Sequence, residues 1–258
     1  MSTLQLIRHG REVKPRRVML YGTHGSGKST LASQSDRPIF IPVEEGINDI
    51  LCDKFPLAKS FEEVMKHLSS LYLEEHPYRT LVLDTLDALE PHIWATVCRE
   101  QGVEHIEELP YARGYTLALK LWRQLLEGLT ALRDDKGMTI LLIAHSKTER
   151  FENPSTESYD RYVPKLHKAA SALISEWADE VLFSGLRIAT RKLDEGFGQS
   201  RVIPVGAGDH VLYTSGRPTH IAKNRLGLPE ELPLDWAVFA KYLPASNQTT
   251  AVKGESNG

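Results

Sequence analysis

Apolar residues along the chain fall into two periodicities. The segments 18–21 (VMLY), 38–43 (PIFIPV), 80–84 (TLVLD), 139–144 (TILLIA) and 181–187 (VLFSGLR) are short. Four of them are nearly continuous apolar runs, the pattern required of a parallel strand covered on both faces. Between them lie helical patterns. In SFEEVMKHLSSLYLEEH, Ser60 and Glu63 have capping-box spacing, and Phe61, Val64, Met65, Leu68, Leu71 and Tyr72 mark one apolar face. A second helix is predicted over 116–133, and a third from Pro164, suited to a first helical position, to about residue 178. Alternation of strand and helix predicts an α/β fold with a mostly parallel twisted sheet flanked by helices. After residue 180 the pieces FSGLRIAT, SRVIPVGA and HVLYTS, separated by the turns DEGFGQ and GAGD, predict a C-terminal antiparallel extension. The expected organisation is a basic N-terminal arm over 1–17, one α/β domain over 18–244, and a disordered tail over 245–258.

Composition narrows the class. With 41% hydrophobic and 25% charged residues in 258, the chain reads as an ordinary globular protein, and no apolar stretch approaches the ~20 residues of a membrane helix. The opening MSTLQLIRHGREVKPRR carries charge without a following apolar core, so a cytoplasmic protein with no membrane association is expected. Cys52 and Cys98 are far apart, and the ten histidines form no HExxH or Cys/His spacing, which leaves a zinc site without support. A net charge of −3 gives no general attraction to nucleic acid, so such binding would need local surfaces.

The chemistry begins at residues 22–30, GTHGSGKST. Gly22, Thr23, His24, Gly25, Ser26, Gly27, Lys28 and Ser29 fit GxxxxGK[ST], with Thr30 next, after a strand and at the start of a helix. Such a loop turns backbone N–H groups onto phosphate oxygens, and Lys28 adds a point charge there. Ser29 is expected to hold magnesium together with Asp84, the carboxylate ending the apolar strand 80–84. Hydrolysis needs a base for the attacking water, and Glu44 and Glu45 end the strand in between; strand alternation lets only one face the phosphates. His145 or Ser146, ending ILLIAHS, stands where a polar group reads the γ-phosphate. No DxxG follows the loop and AKNR lacks the Asp of NKxD, so ATP is favoured over GTP.

In order and spacing, GTHGSGKST, VEEG, LVLDTLDAL, ILLIAHSK and THIAKNRLGLP resemble the RecA-like P-loop ATPases of the compact bacteriophage type, a group that includes single-strand annealing proteins, over roughly residues 16–240. The resemblance implies an Mg²⁺-dependent ATPase that binds single-stranded DNA, promotes annealing or recombination, and self-associates into a ring or filament. A single-strand-binding protein is a further partner, and the location is the host cytoplasm if the protein is phage-encoded. It implies that Glu45, followed by glycine, is the catalytic glutamate, and that Lys223 and Arg225 reach a neighbouring subunit's nucleotide. It also implies DNA loops at 102–115, with Tyr111, Arg113 and Tyr115, and at 147–163, with Lys147, Arg150, Phe151, Tyr159, Arg161 and Tyr162, cations and aromatics suited to phosphates and bases. The basic arm, with Arg8, Arg11, Lys14, Arg16 and Arg17, is expected to be solvated or to contact a neighbour or DNA. A small-molecule kinase and a nucleotide-dependent assembly switch with little turnover are the alternatives.

Overall fold

The computed structural model describes residues 4, 7, 9–10, 12–152, 157–187, 189–194, 200–205 and 208–244, with backbone alone for 189–194 and 200–205. Arg8 and Arg11 of the arm and the tail 245–258 lie outside the described residues.

In chain order, β1 (Arg17–Gly22) leads through the glycine-rich loop into α1 (Lys28–Ser33), and β2 (Pro38–Pro42) and the short β3 (Asp53–Lys54) precede α2 (Phe61–Leu73). Then come β4 (Thr80–Asp84), α3 (Leu86–Gln101), two 3-10 turns, and α4 (Arg113–Lys136). The second half holds β5 (Thr139–Phe151), β6 (Tyr159–Pro164), α5 (Lys168–Trp177), β7 (Glu180–Leu186), β8 (Ala189–Asp194) and β9 (Ser200–Val205). It ends with β10 (His210–Tyr213), β11 (Lys223–Asn224), β12 (Glu231–Pro233) and α6 (Trp236–Phe239).

The main sheet runs β12-β10-β7-β1-β5-β4-β2-β3. From β3 to β7 every pairing is parallel, while β10 pairs antiparallel with β7 and β12 with β10. The predicted mostly parallel α/β sheet with an antiparallel C-terminal extension is therefore what the chain adopts. Alternate side chains of a strand feed opposite faces. Met19 and Tyr21 join the core under α2 to α5, whereas Val18 and Leu20 pack with Leu31, Trp236 and Phe239 on the other face.

Helix α2 follows from its local chemistry: Ser60 accepts the Glu63 N–H, and Glu63 accepts the Lys59 N–H rather than that of Ser60. Phe61, Val64, Leu68 and Leu71 are buried, but Tyr72 is exposed and bonds Asp135. Helix α4 is longer than 116–133. Pro164 does not start a helix; it ends β6, and α5 begins at Lys168. Segment 147–163 is not an open loop either. Strand β5 continues to Phe151 and pairs antiparallel with β6, from Ser146 opposite Pro164 to Phe151 opposite Tyr159.

The arm is also shorter than expected, because Arg17 opens β1. Arg16 pairs with fully buried Glu180, and Arg17 Nη2 lies 2.9 Å from Asp179 Oδ1. Arg225 Nη1 lies 3.3 Å from the same Asp179 atom. Lys223 Nζ donates to the carbonyls of Ser175 (3.0 Å), Glu176 (2.8 Å) and Ala178 (2.6 Å), closing the carboxyl end of α5. A lysine there satisfies carbonyls that the helix leaves without partners. These groups meet at the start of β7, whereas Gly22 pairs with Ser184 four residues further on, so Lys223 and Arg225 are bonded within their own chain at the end of the sheet opposite the phosphate loop. The role across an interface expected for them is not what these contacts serve. Lys223→Ala should lower the free energy of unfolding by about 1–2 kcal/mol, read from the urea midpoint. A lysine acting only on a neighbouring subunit would leave that midpoint unmoved.

Candidate functional site

The site stands at the carboxyl ends of the parallel strands, where a doubly covered sheet opens to a ligand. Gly22 must be glycine because a Cβ there would sit 2.1 Å from the Ser184 carbonyl oxygen of β7. Ser184 Oγ donates to the Ser26 carbonyl at 2.8 Å, anchoring the loop to β7 from inside. Gly27 takes φ 79° immediately before α1, a left-handed turn that glycine adopts without strain.

Lys28 is buried, and its Nζ donates to the carbonyls of Thr23 (2.8 Å) and Gly22 (3.2 Å). Burial lowers its pKa against the opposing pull of Asp84, Asp87 and Glu44. Across the cleft Ser29 Oγ donates to Asp84 Oδ2 at 2.6 Å. Burial raises the Asp84 pKa first of all, Glu44 adds to the rise, and the Ser29 hydroxyl and Lys28 oppose it. A carboxylate and a hydroxyl side by side form a hard-oxygen pair that fits Mg²⁺. Among the described residues no cluster of three or more His, Cys, Asp or Glu could hold a metal by itself. The pair therefore suits an ion that shares its shell with phosphate oxygens.

Glu44 and Glu45 both line the cleft, and Glu44 is the one bonded within it. Its Oε1 accepts the Thr85 hydroxyl at 3.1 Å and lies 3.9 Å from His145 Nδ1, whereas Glu45 is exposed on the rim. The expected Glu45 borders the cleft from its exposed rim, while Glu44, next to β2, makes the contacts to Thr85 and His145. His145 is buried and opposite Gly22 in the β1–β5 register; its ring stacks on His24 with centroids 3.7 Å apart. The cleft that these residues line encloses about 470 Å³. A larger groove, about 620 Å³ between α4 and α5 beside Trp177, holds none of the phosphate-loop residues.

A family model described as an AAA domain matches residues 14–226. The chain belongs to the AAA domain family. The AAA domain is also 25% identical over 170 residues to the SPbeta prophage-derived uncharacterized protein YorG of Bacillus subtilis (strain 168), a match covering 64% of this chain and 49% of the relative. It thus spans about half the length of that curated protein. Among solved structures it is similar to the RadB recombinase, at 13% identity and TM-score 0.42, over 78% of this chain and 89% of the other.

Thr85, which lines the cleft and donates to Glu44, and Asp87 belong to the AAA domain's site without a sequence motif that marks them. Asp87, in the first turn of α3, bonds His145 through both carboxylate oxygens. The signal for it is its spacing, three residues after Asp84 in LVLDTLDAL. Glu90 is buried one turn further, and its oxygens accept the His167 N–H at 3.0 and 2.9 Å.

The expected DNA residues divide between surfaces. On the β5–β6 hairpin, Lys147, Phe151, Tyr159 and Arg161 share one face and Arg150 and Tyr162 the other, as the cross-strand pairs dictate. Arg161 lies over the Phe151 ring at 3.8 Å, and Phe151 packs on Tyr159 at 5.5 Å. Lys147 is committed inward, donating to the Leu166 carbonyl at 2.8 Å, and Tyr162 stacks on Phe183 of β7 at 5.2 Å. Exposed Arg150 lies 3.9 Å from Asp160. Tyr111 in the turn before α4 and Arg113 at its first position are exposed, while Tyr115 in the first turn of α4 stacks on His167 at 4.2 Å and donates to Glu107. No helix among the described residues is long and apolar enough to cross a membrane.

Burial pushes Glu90 up to about 7, with the His167 N–H and Lys147 opposing and Asp87 assisting. A carboxyl raised in the fold favours its neutral form, so its charge costs stability progressively as pH rises from about 4.5 through about 7. Glu90→Gln keeps an acceptor for His167 and carries no charge. It should be more stable than the parent at pH 8 by at most on the order of 3 kcal/mol, and by little at pH 5, as measured by thermal melts across that range.

Proposed function

We propose that this AAA domain hydrolyses ATP with magnesium and couples the nucleotide cycle to a grip on single-stranded DNA, in recombination or annealing of the phage type. The observation that carries the reading is one continuous strand: β5 holds His145 beside the phosphate loop and, six residues on, Phe151 on a hairpin with Tyr159 and Arg161. A change in the position of His145 is thereby a change at the root of the hairpin. The prophage origin of a relative and the ordered RecA-like motifs support the phage setting, with self-association into a ring or filament and action in the host cytoplasm.

In this reading Lys28 exchanges its loop carbonyls for β- and γ-phosphate oxygens, and Ser29 and Asp84 hold the magnesium. Bound magnesium neutralises phosphate charge and orients the terminal group. Glu44 takes the proton of the attacking water, since it is the glutamate held in the cleft by Thr85 beside His145, and His145 contacts the terminal phosphate. The aromatic and guanidinium groups of the hairpin stack bases, and Arg150 and Arg113 reach backbone phosphates.

Turnover of ATP by the full chain should require magnesium and rise with added single-stranded oligonucleotide at low salt. Lys28→Ala should abolish it. Glu44→Gln should lower kcat about 100-fold or more, while Glu45→Gln stays within about threefold of the parent. Undiminished turnover in Glu44→Gln would return the role of base to Glu45, and no turnover in the parent would favour an assembly switch. Phe151→Ala with Arg161→Ala should remove the DNA stimulation and the retardation of labelled oligonucleotide while basal turnover persists. Light scattering with and without ATP reads the assembly.

A further inference from the structure

We infer that Asp87 is the positioning residue for His145, holding its ring in one tautomer and one orientation at the phosphate end of the cleft. The inference rests on the proposed ATP-hydrolysing reading for its catalytic consequence, though not for its chemistry.

The placement of Asp87 begins with the N-cap of α3. Thr85 Oγ accepts the Ala88 N–H at 3.3 Å, which starts the helix directly after the Asp84 strand and puts Asp87 in its first turn. There its side chain is 95% buried, where a carboxylate is costly unless its oxygens are bonded. Both are. Oδ1 accepts the backbone N–H of His145 at 2.8 Å, and Oδ2 stands 2.9 Å from Nδ1 of the same residue. One carboxylate thus grips the main chain and the ring of His145 together.

An ionised carboxylate only accepts hydrogen bonds. The hydrogen between Asp87 and the ring therefore resides on Nδ1, and Nε2 is left for the cleft. The arrangement parallels the way a buried carboxylate fixes the tautomer of a working histidine in other enzymes. Rotation of the ring is limited independently, because His24 of the phosphate loop stacks on it at 3.7 Å with 21° between planes. His24 thereby acquires a role as the second support of the same ring.

Asp87 also steadies the root of the hairpin. Lys165, just beyond β6, brings Nζ to 3.8 Å from Asp87 Oδ2, and its backbone N–H donates to the His145 carbonyl at 2.8 Å. The two sides of that root, His145 and Lys165, converge on one carboxylate. The charged and titratable groups around the His145 ring are Asp87 on α3, Glu44 after β2, Asp84 on β4, His24 in the phosphate loop and Lys165 after β6. Among them Asp87 alone bonds Nδ1 within 3 Å.

The test is the ring's tautomer, followed by kinetics. Long-range ¹H–¹⁵N spectra of the full chain, with His145 assigned by His145→Gln, should show the proton on Nδ1 in the parent. In Asp87→Asn the Asn oxygen can keep the backbone N–H of His145, while its amide hydrogens face Nδ1 and move the ring proton to Nε2. Turnover of ATP by Asp87→Asn should fall in kcat by roughly 10- to 100-fold with KM within about threefold, and the double variant with His145→Gln should be no slower than His145→Gln alone. Asp87→Glu should restore the Nδ1 tautomer and part of kcat. An Nε2 proton in the parent, an unchanged tautomer in Asp87→Asn, or losses that multiply in the double variant would each overturn the inference. Absence of turnover in the parent would instead overturn the ATPase reading and leave the spectra to decide the role of Asp87.

Discussion

A parallel strand buried on both faces has no place for an unpaired polar side chain along its length. In β1, β4 and β5 the central residues 18–21, 81–83 and 140–144 are Val, Met, Leu, Ile, Tyr or Ala, and polarity appears at the two ends of those runs. Gly22, Asp84 and His145 stand at the carboxyl ends of the runs, and Glu44 follows the end of β2. Because β5 lies between β1 and β4, His145 stands midway along β5 between the end of β1 at the phosphate loop and the end of β4 at Asp84. The site is thus a consequence of burial: the cost of desolvating polar groups within the sheet drives them to a common edge, where hydrogen bonds can satisfy them.

That edge collects more negative than positive side chains. Asp84, Asp87 and Glu44 all act on Lys28, and the lysine meets them while bonded to neutral loop carbonyls. Asp84, with only a hydroxyl as bonded partner, has a pKa raised by burial, whereas Asp87 is lowered because the bonds from His145 outweigh its burial. The two carboxylates three residues apart therefore differ in what they lack. Asp87 is satisfied by the protein, and Asp84 is left wanting a cation. In the proposed ATPase reading, a divalent ion arriving with a nucleotide's phosphates would answer that deficit and bring anionic oxygens to Lys28 at the same time.

The strands were legible because their apolar runs are short, bounded and nearly uninterrupted, and the phosphate loop because its spacing is mechanical. Helix α3 was less legible: Pro91 and the polar Glu90 and His92 blur its period, and its place is set by the Thr85 cap and by packing on β5. The hairpin was hidden because β5 changes pattern midway. Its apolar half ends at Ala144, and the rest alternates with charges, as a strand leaving the core must. The choice between Glu44 and Glu45 depended on how the chain leaves β2, where Val43 N–H bonds the Asp84 carbonyl and turns Glu44 toward Thr85. Lys223 and Arg225 read as exposed cations until their partners, helix carbonyls and an aspartate distant in sequence, were brought beside them.

The opposite end of the sheet is tied together by charge. Asp179 and Glu180 bind Arg16, Arg17 and Arg225, with Arg133 within 3.9 Å and Lys223 closing α5, so the entry to β1, the end of α5 and the segment after β10 are bonded to one point. Removing one partner from such a buried group leaves an uncompensated charge, which makes this end resistant to rearrangement. At the other edge the hairpin root is held without a comparable ion-pair network: Tyr162 stacks on Phe183 and its N–H donates to the Thr219 carbonyl, Tyr21 Oη donates to the Tyr162 carbonyl at 3.2 Å, and Asp87 grips His145 beside Lys165. A ligand that repositions His145 works against these contacts and not against the ion-pair network. In the proposed reading, the bonded end of the sheet is the frame against which a displacement at the phosphates would carry along β5 to Phe151 and its partners Tyr159 and Arg161.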